Sequence, residues 1–367
     1  MSAPDREAPH APELSRRQLI RGVGALAAGS FLSATATTAA ARAPTARPGR
    51  GATLLAPRLE AGMTIGLLAP ASPVAEDEDV HAAIDRIRSL GFRVKAGAAL
   101  FERSAYLAGS DAARAADFND LARDRDVDAL FCIRGGYGAM RILPMIDYEA
   151  LRARPKILLG YSDITALLNA VHLRTGLVTH HGPIAAANFT DYSLGEFHKV
   201  LMKPAAPVQI GAAPPFEAKP GVIDVDNRLT RITGGRAEGR LVGGNLSLVA
   251  GLLGTPFEPD FEGAILFLED VDEAPYRIDR MLTQLWLAGR LQQCAAIAFG
   301  KFTDADYDGN TLSVEQVLRD RCEPLGIPVL KGLMIGHIDD QTVVPVGARA
   351  RLDVDAGTLT LLEAAVA

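Results

Sequence analysis

Cysteine is scarce in this 367-residue chain: there are three, Cys132, Cys294 and Cys322, scattered along it. Three isolated thiols cannot build the disulfide framework of a small secreted scaffold, and none stands with histidines at the spacing of a zinc site. Cys132 and Cys294 fall in apolar runs (Leu130 to Ile133, Ala295 to Phe299), where a thiol acts as a small inert hydrophobe. We therefore expect no structural metal and no cofactor. An excess of basic residues is also missing. Lys and Arg total 38 against 44 Asp and Glu, for a net charge of −6, and no basic stripe stands outside the N-terminus. That excludes a nucleic-acid partner recognised through a basic surface. Internal repeats are absent.

What is present is an ordinary globular balance, 48% hydrophobic and 22% charged. The N-terminus reads as an address rather than as fold. Ser15-Arg16-Arg17-Gln18-Leu19-Ile20 is a twin-arginine pattern, followed by a weakly apolar run from Gly22 to Ala41 and the small-x-small signal Ala41-Arg42-Ala43. Together these predict export to the periplasm by the twin-arginine machinery, with cleavage after Ala43. The run is too rich in small and hydroxylated residues for a good membrane anchor. That route carries folded proteins, in keeping with the few cysteines. The predicted organisation is a signal over 1–43, a Pro/Arg/Gly linker without structure over 44–57, a first domain over 58–187, a connection over 188–233 and a second domain over 234–367. Two modest cores suit the remaining length better than one.

In the first domain, apolar strand runs alternate with helical patterns. Met63 to Leu68, Phe92 to Lys95, Val127 to Ile133 and Lys156 to Gly160 read as strands. Val80, Ile84, Ile87 and Leu90 mark one helix face, Ser110 caps a helix to about Arg123, and a further helix spans Asp163 to Arg174. Such interleaving predicts a parallel sheet covered on both faces. Past the proline-rich connection, Arg240 to Val242, Ala264 to Leu268 and Ala295 to Phe299 read as strands. Helices are expected from Asn245 to Leu253, over Ala274 to Gly289 (Ile278, Leu282, Leu285 and Trp286 inward) and over Val314 to Leu325. Short strands turn at Gly347 and Gly357. This second domain is mixed α/β with more antiparallel character. The fold class is α/β throughout.

Ligands of parallel α/β sheets collect beyond the carboxyl ends of strands. Three loops qualify: Ala69 to Pro73, Arg134-Gly135-Gly136-Tyr137-Gly138, and Gly160-Tyr161-Ser162-Asp163. In the last, a serine sits on a sharp strand-to-helix turn, beside backbone N–H groups able to stabilise an oxyanion. It could equally cap the helix. The glycine loop lacks both phosphate-binding spacings, and could supply a second oxyanion donor or serve as a plain turn. A serine nucleophile needs a base and an orienting acid. Glu269 and Asp270 close an apolar strand, while His180, His181 and His337 are the histidines placed to reach a cleft. The residues alone do not choose among them.

Taken together, Arg134 to Gly138, Gly160 to Thr165 and His181-Gly182-Pro183 resemble the first half of the LD-carboxypeptidase (muramoyltetrapeptide carboxypeptidase) family. Gly243-Gly244-Asn245-Leu246, Leu268-Glu269-Asp270 with Tyr276-Arg277-Asp279-Arg280, and Gly336-His337 resemble its second half. The resemblance implies a Ser-His-Glu triad of Ser162, His337 and Glu269, which spans the two domains and so places the expected active site between them. It also implies an oxyanion hole from the N–H groups of Asp163 and Gly136, with Gly135 as fallback. Gly135, Tyr137, His181 and Arg277 are candidates for substrate contact. The implied reaction, without metal, releases the D-alanine attached to the L-centre of meso-diaminopimelate in peptidoglycan tetrapeptides. Two other readings compete. One is a microcin-immunity-type hydrolase of peptidyl- or aminoacyl-nucleotides, which would use aromatic residues to stack on a base, as Asn188-Phe189-Thr190-Asp191-Tyr192 could. The other is a non-catalytic binder of wall peptides. A homodimer is compatible with the sequence, which does not set the oligomeric state.

Overall fold

A computed structural model describes residues 53–217 and 219–367. The twin-arginine segment, the expected cleavage point and residues 44–52 lie outside the described residues. The strands are β1 (Thr64–Leu68), β2 (Arg93–Ala96), β3 (Ala129–Cys132), β4 (Ile157–Gly160), β5 (Thr179–His181), β6 (Val208–Ile210) and β7 (Thr230–Thr233). They continue as β8 (Arg236–Asn245), β9 (Ile265–Val271), β10 (Ala296–Thr303), β11 (Val329–Lys331), β12 (Val344–Val346), β13 (Arg349–Asp353) and β14 (Thr358–Leu361).

They form two sheets, in the orders β12-β5-β4-β3-β1-β2 and β6-β14-β13-β8-β9-β10-β11-β7. In the first, β1 to β5 are parallel and only β12 is antiparallel. In the second, β8 to β11 run parallel, flanked by antiparallel partners on both sides. The α/β class, with a parallel first sheet and a mixed second one, is as expected. The helices follow the sequence signals closely. Ser110 Oγ accepts the Ala113 N–H at 3.1 Å, opening the helix Asp111–Arg123.

Alternation along β9 organises the core. Ile265 and Phe267 face the large cluster shared with the first sheet, while Leu266 and Leu268 face a second cluster under the helices Pro275–Leu287 and Val314–Cys322. The large cluster runs without a break from Ile65 and Leu130 in the first sheet to Leu241, Phe267 and Ala298 in the second. The three cysteines are buried and unpaired; burial pushes the thiols of Cys294 and Cys322 up to about 12.

Four placements differ from expectation. The linker is ordered from Thr53: Leu54 donates to Gly176 O and accepts from Val178 N, both at 2.9 Å, and Ala56 is buried. The short apolar Leu54-Leu55-Ala56 patch is enough to dock it. The connection supplies β6 and β7, the two edge strands of the second sheet, where short pairings need little periodicity. β12, from the tail, crosses over to complete the first sheet beside β5. Trp286 is 41% exposed, because it lies about 80° around the helix from Ile278, on the flank of the buried face made by Ile278, Leu282 and Leu285.

Candidate active site

β4 ends at Gly160 and the chain turns at once into a helix. A 3-10 turn, Ser162–Ile164, leads into the helix Thr165–Thr175. Ser162 holds φ at 64°, the left-handed region that a non-glycine residue enters only at a cost. Its side chain caps neither helical segment. Cap and nucleophile were both open from the sequence; the hydroxyl instead lines a groove of about 760 Å³ with Arg134, Gly135, Gly136, Tyr161, Asp272 and His337.

The three loops at the strand ends are tied to one another. Ser72 N donates to Gly135 O at 3.3 Å, and Tyr137 N donates to Ser72 Oγ at 3.0 Å. Asp163 Oδ2 accepts the Ala139 N–H at 2.7 Å, which fastens the Ser162 turn to the glycine loop. Burial raises the Asp163 carboxyl above its ordinary value, against that hydrogen bond and the charge of Arg114. Arg114, almost wholly buried, donates to Gly138 O at 3.0 Å and to Pro70 O, so one guanidinium joins two of the loops.

Gly135 presses on the serine. A Cβ there would stand 2.8 Å from Ser162 Cβ and 3.0 Å from both Ser162 Oγ and Asp163 N, so only glycine lets the loop approach this closely. Gly136 N–H has no acceptor among the described residues, and the Asp163 N–H lies in the first turn of its helix, where no intrahelical acceptor exists. The two donors expected for an oxyanion therefore flank Ser162 uncommitted.

The expected acid lies near the end of β9 in the second sheet, and the expected base stands in the loop after β11. Glu269 continues the Ile265, Phe267 face of β9, so its carboxylate points toward the first sheet and has no exposed surface. Glu269 Oε2 lies 2.7 Å from His337 Nδ1. Gly336 makes this pairing sterically feasible: its φ is 120°, and a Cβ would fall 2.9 Å from Glu269 Cβ and from Oε2. The His337 ring packs edge-on against Tyr161, centroids 4.8 Å apart. No hydrogen bond joins Ser162 Oγ to His337 here, and such bonds often close only when substrate binds.

The remaining candidates separate. His181 sits opposite Gly160 in the β4–β5 register, but it is fully buried, edge-on to Tyr161 at 5.9 Å and to Phe267 at 5.4 Å. It lies outside the groove lining, and His180 is equally buried. Burial lowers both imidazoles to about 4. Arg277 stays on its helix surface, paired with Glu273 at 3.5 Å, away from the groove lining. Tyr137 is exposed and packs edge-on against Tyr106, outside the groove lining. Among the described residues, no cluster of three or more His, Cys, Asp or Glu is arranged to hold a metal.

Several supporting roles escaped the sequence reading. Asn245, opposite Glu269 in the β8–β9 register, donates its backbone N–H to Thr165 Oγ1 at 3.0 Å. Asn169 donates to Gly243 O at 2.8 Å. These bonds dock the Gly243-Gly244-Asn245 turn on the helix Thr165–Thr175. The His337 loop is held by the connection: Ser193 Oγ donates to Asp339 O at 2.7 Å and Thr190 Oγ1 to Asp340 Oδ1 at 2.6 Å. Polar residues spread over several elements carry no local signal for such roles.

Comparison with known proteins agrees with this architecture. Residues 65–182 match the model of the LD-carboxypeptidase N-terminal domain, and residues 238–352 that of the LD-carboxypeptidase C-terminal domain. The chain is 42% identical over 310 residues to the "Probable murein peptide carboxypeptidase" of Bacillus subtilis, covering 84% of this chain and 94% of that one. Among solved structures, wild-type microcin C7 self-immunity protein MccF, a protein of Escherichia coli, superposes with a TM-score of 0.78 at 28% identity, covering 86% of this chain and all of that one. The muramoyltetrapeptide carboxypeptidase of Oxalobacter formigenes gives 0.68 at 31% identity, covering 82% and 98%. The protein is thus a serine-type carboxypeptidase. More narrowly, the chain belongs to the LD-carboxypeptidase family.

Proposed function

We propose that this protein hydrolyses the amide between the L-centre of meso-diaminopimelate and a terminal D-alanine in peptidoglycan tetrapeptides, through an acyl-enzyme on Ser162. The observation that carries the reading is the Glu269–His337 hydrogen bond, set in one groove with a serine held at positive φ. Ser162 Oγ attacks the carbonyl carbon while His337 Nε2 takes its proton. The oxyanion is held by the N–H groups of Asp163 and Gly136. His337 then protonates the departing D-alanine amine, and water, activated by the same imidazole, releases the acyl group. Glu269 accepts the Nδ1–H, fixing the tautomer and stabilising the imidazolium. The murein and muramoyltetrapeptide names of two relatives support the substrate class.

The likeness to MccF favours a second reading, hydrolysis of a peptidyl- or aminoacyl-nucleotide. Against it, the aromatic residues offered for base stacking are committed elsewhere: Phe189 packs on Phe197 at 5.6 Å and Tyr192 donates its hydroxyl to Ala212 O at 2.6 Å. Incubating the protein with a tetrapeptide ending in D-alanine, beside Ser162→Ala, tests both. Release by the parent alone supports the first reading. Cleavage of an aminoacyl-adenylate analogue with no D-alanine release selects the second, and binding without cleavage of either selects a wall-peptide binder.

The twin-arginine pattern supports export to the periplasm, where wall-derived peptides are met before uptake. Replacing Arg16 and Arg17 by lysine is expected to retain the protein in the cytoplasm; undiminished export overturns this.

A further inference from the structure

A carboxypeptidase differs from an endopeptidase in one demand: a free carboxylate must sit one residue beyond the scissile carbonyl. One residue spans at most about 3.3–3.6 Å, so the group that receives this carboxylate must stand beside the oxyanion site. A carboxylate leaving water needs charged or multiple N–H donors, and a guanidinium matches it best.

The groove holding Ser162 is lined by two arginines, Arg86 and Arg134. They are not equivalent. Arg86 has three of its nitrogens committed: Nε and Nη2 donate to Asn188 Oδ1 at 3.1 and 2.9 Å, and Nη1 to Ala185 O at 2.7 Å. Arg134 makes one side-chain hydrogen bond, from Nη1 to Pro73 O at 3.2 Å. No carboxylate lies within ion-pair distance of it among the described residues. A guanidinium carries five N–H donors in a fixed fork, so most of the Arg134 fork remains available. Its position meets the distance demand. Arg134 directly precedes Gly135 and Gly136, and its Nη2 is 3.5 Å from the point that a Cβ on Gly136 would occupy. Burial pushes the Tyr161 hydroxyl up to about 12, and the Arg134 charge opposes that rise, so the cation bears on a second residue lining the groove. Arg277, which the sequence offered only as a candidate for substrate contact, stays on its helix surface paired with Glu273.

We propose that Arg134 receives the terminal carboxylate of the substrate and so makes this serine hydrolase an exopeptidase. The inference rests on the carboxypeptidase reading and adds the residue that enforces it. The single bond to Pro73 O holds the guanidinium at the oxyanion loop while leaving the remaining donors to the ligand.

The test compares a tetrapeptide ending in D-alanine with the same peptide ending in D-alaninamide. The parent protein is expected to favour the free acid. In Arg134→Gln the acid-over-amide ratio of kcat/KM is expected to fall by about 10- to 100-fold, the worth of a hydrogen bond to a charged group, with Arg134→Lys in between. A ratio unchanged in Arg134→Gln, or no preference for the acid in the parent, overturns the proposal. If the parent releases nothing from either peptide, the proposed substrate fails separately. Calorimetric binding of N-acetyl-L-lysyl-D-alanine to Ser162→Ala then decides Arg134: loss on adding Arg134→Gln supports it, and equal binding or none overturns it.

Discussion

Ser162 is held against its own preference, since a non-glycine residue at positive φ costs on the order of 1–3 kcal/mol. The Asp163–Ala139 bond and the pressure of Gly135 keep it there. The Glu269–His337 pair has a similar dependence on Gly336. Gly336→Ala is expected to lower kcat by more than tenfold with the fold retained, because the added methyl would overlap the Glu269 carboxylate; unchanged kcat beside a normal unfolding curve would contradict this. Glu269→Gln removes the carboxylate that fixes the His337 tautomer, and kcat is expected to fall by about four orders of magnitude. Steady-state kinetics at pH 7 check both.

At the scale of elements, one strand assigns the chemistry. The period of two along β9 sends Glu269 toward the first sheet and Asp270 to the opposite face. There Asp270 Oδ1 accepts from Asn245 Nδ2 at 2.8 Å, and Oδ2 accepts from Ser247 N at 3.0 Å. The helix Thr165–Thr175 is bound to the second sheet by Asn169, which is 2% exposed and bonds both Thr165 O and Gly243 O at 2.8 Å. Asn169→Leu leaves the Gly243 carbonyl buried without that partner, and is expected to cost about 3 kcal/mol. Urea unfolding measures it; a loss below about 1 kcal/mol would show that the seam does not depend on this side chain.

For the whole molecule, the continuous core means that the two sheets share much of their buried surface. Stability also depends on pH through that core. His181 has no exposed surface and its imidazole is lowered by burial to about 4. The unfolded chain takes up this proton below about 6.5, whereas the folded protein resists until about 4. The contribution is therefore fully present above 6.5 and is lost as pH falls toward 4. Asp270, raised by burial to about 6, acts with the opposite sign, binding its proton more readily in the folded state. Comparison with a variant isolates the histidine: between pH 7 and 4.5, His181→Asn is expected to lose about 2–3 kcal/mol less than the parent in urea titrations. Equal losses would place the acid sensitivity elsewhere.

The sequence by itself determined the elements and the order of the motifs. Apolar runs marked β1, β3, β4 and β9, and Ser110 marked a helix start, because periodicity and capping are local. Short motifs in a fixed order pointed to Ser162, Glu269 and His337. The tertiary structure alone decided what those residues meet. It buried His181 behind Tyr161, kept Arg277 on its helix surface and turned Trp286 toward solvent. It sent β12 back to the first sheet, and left most of the Arg134 donors open. These are distinctions of burial and direction. They depend on which face of each element packs against residues far away in the chain, and neither composition nor spacing encodes that locally.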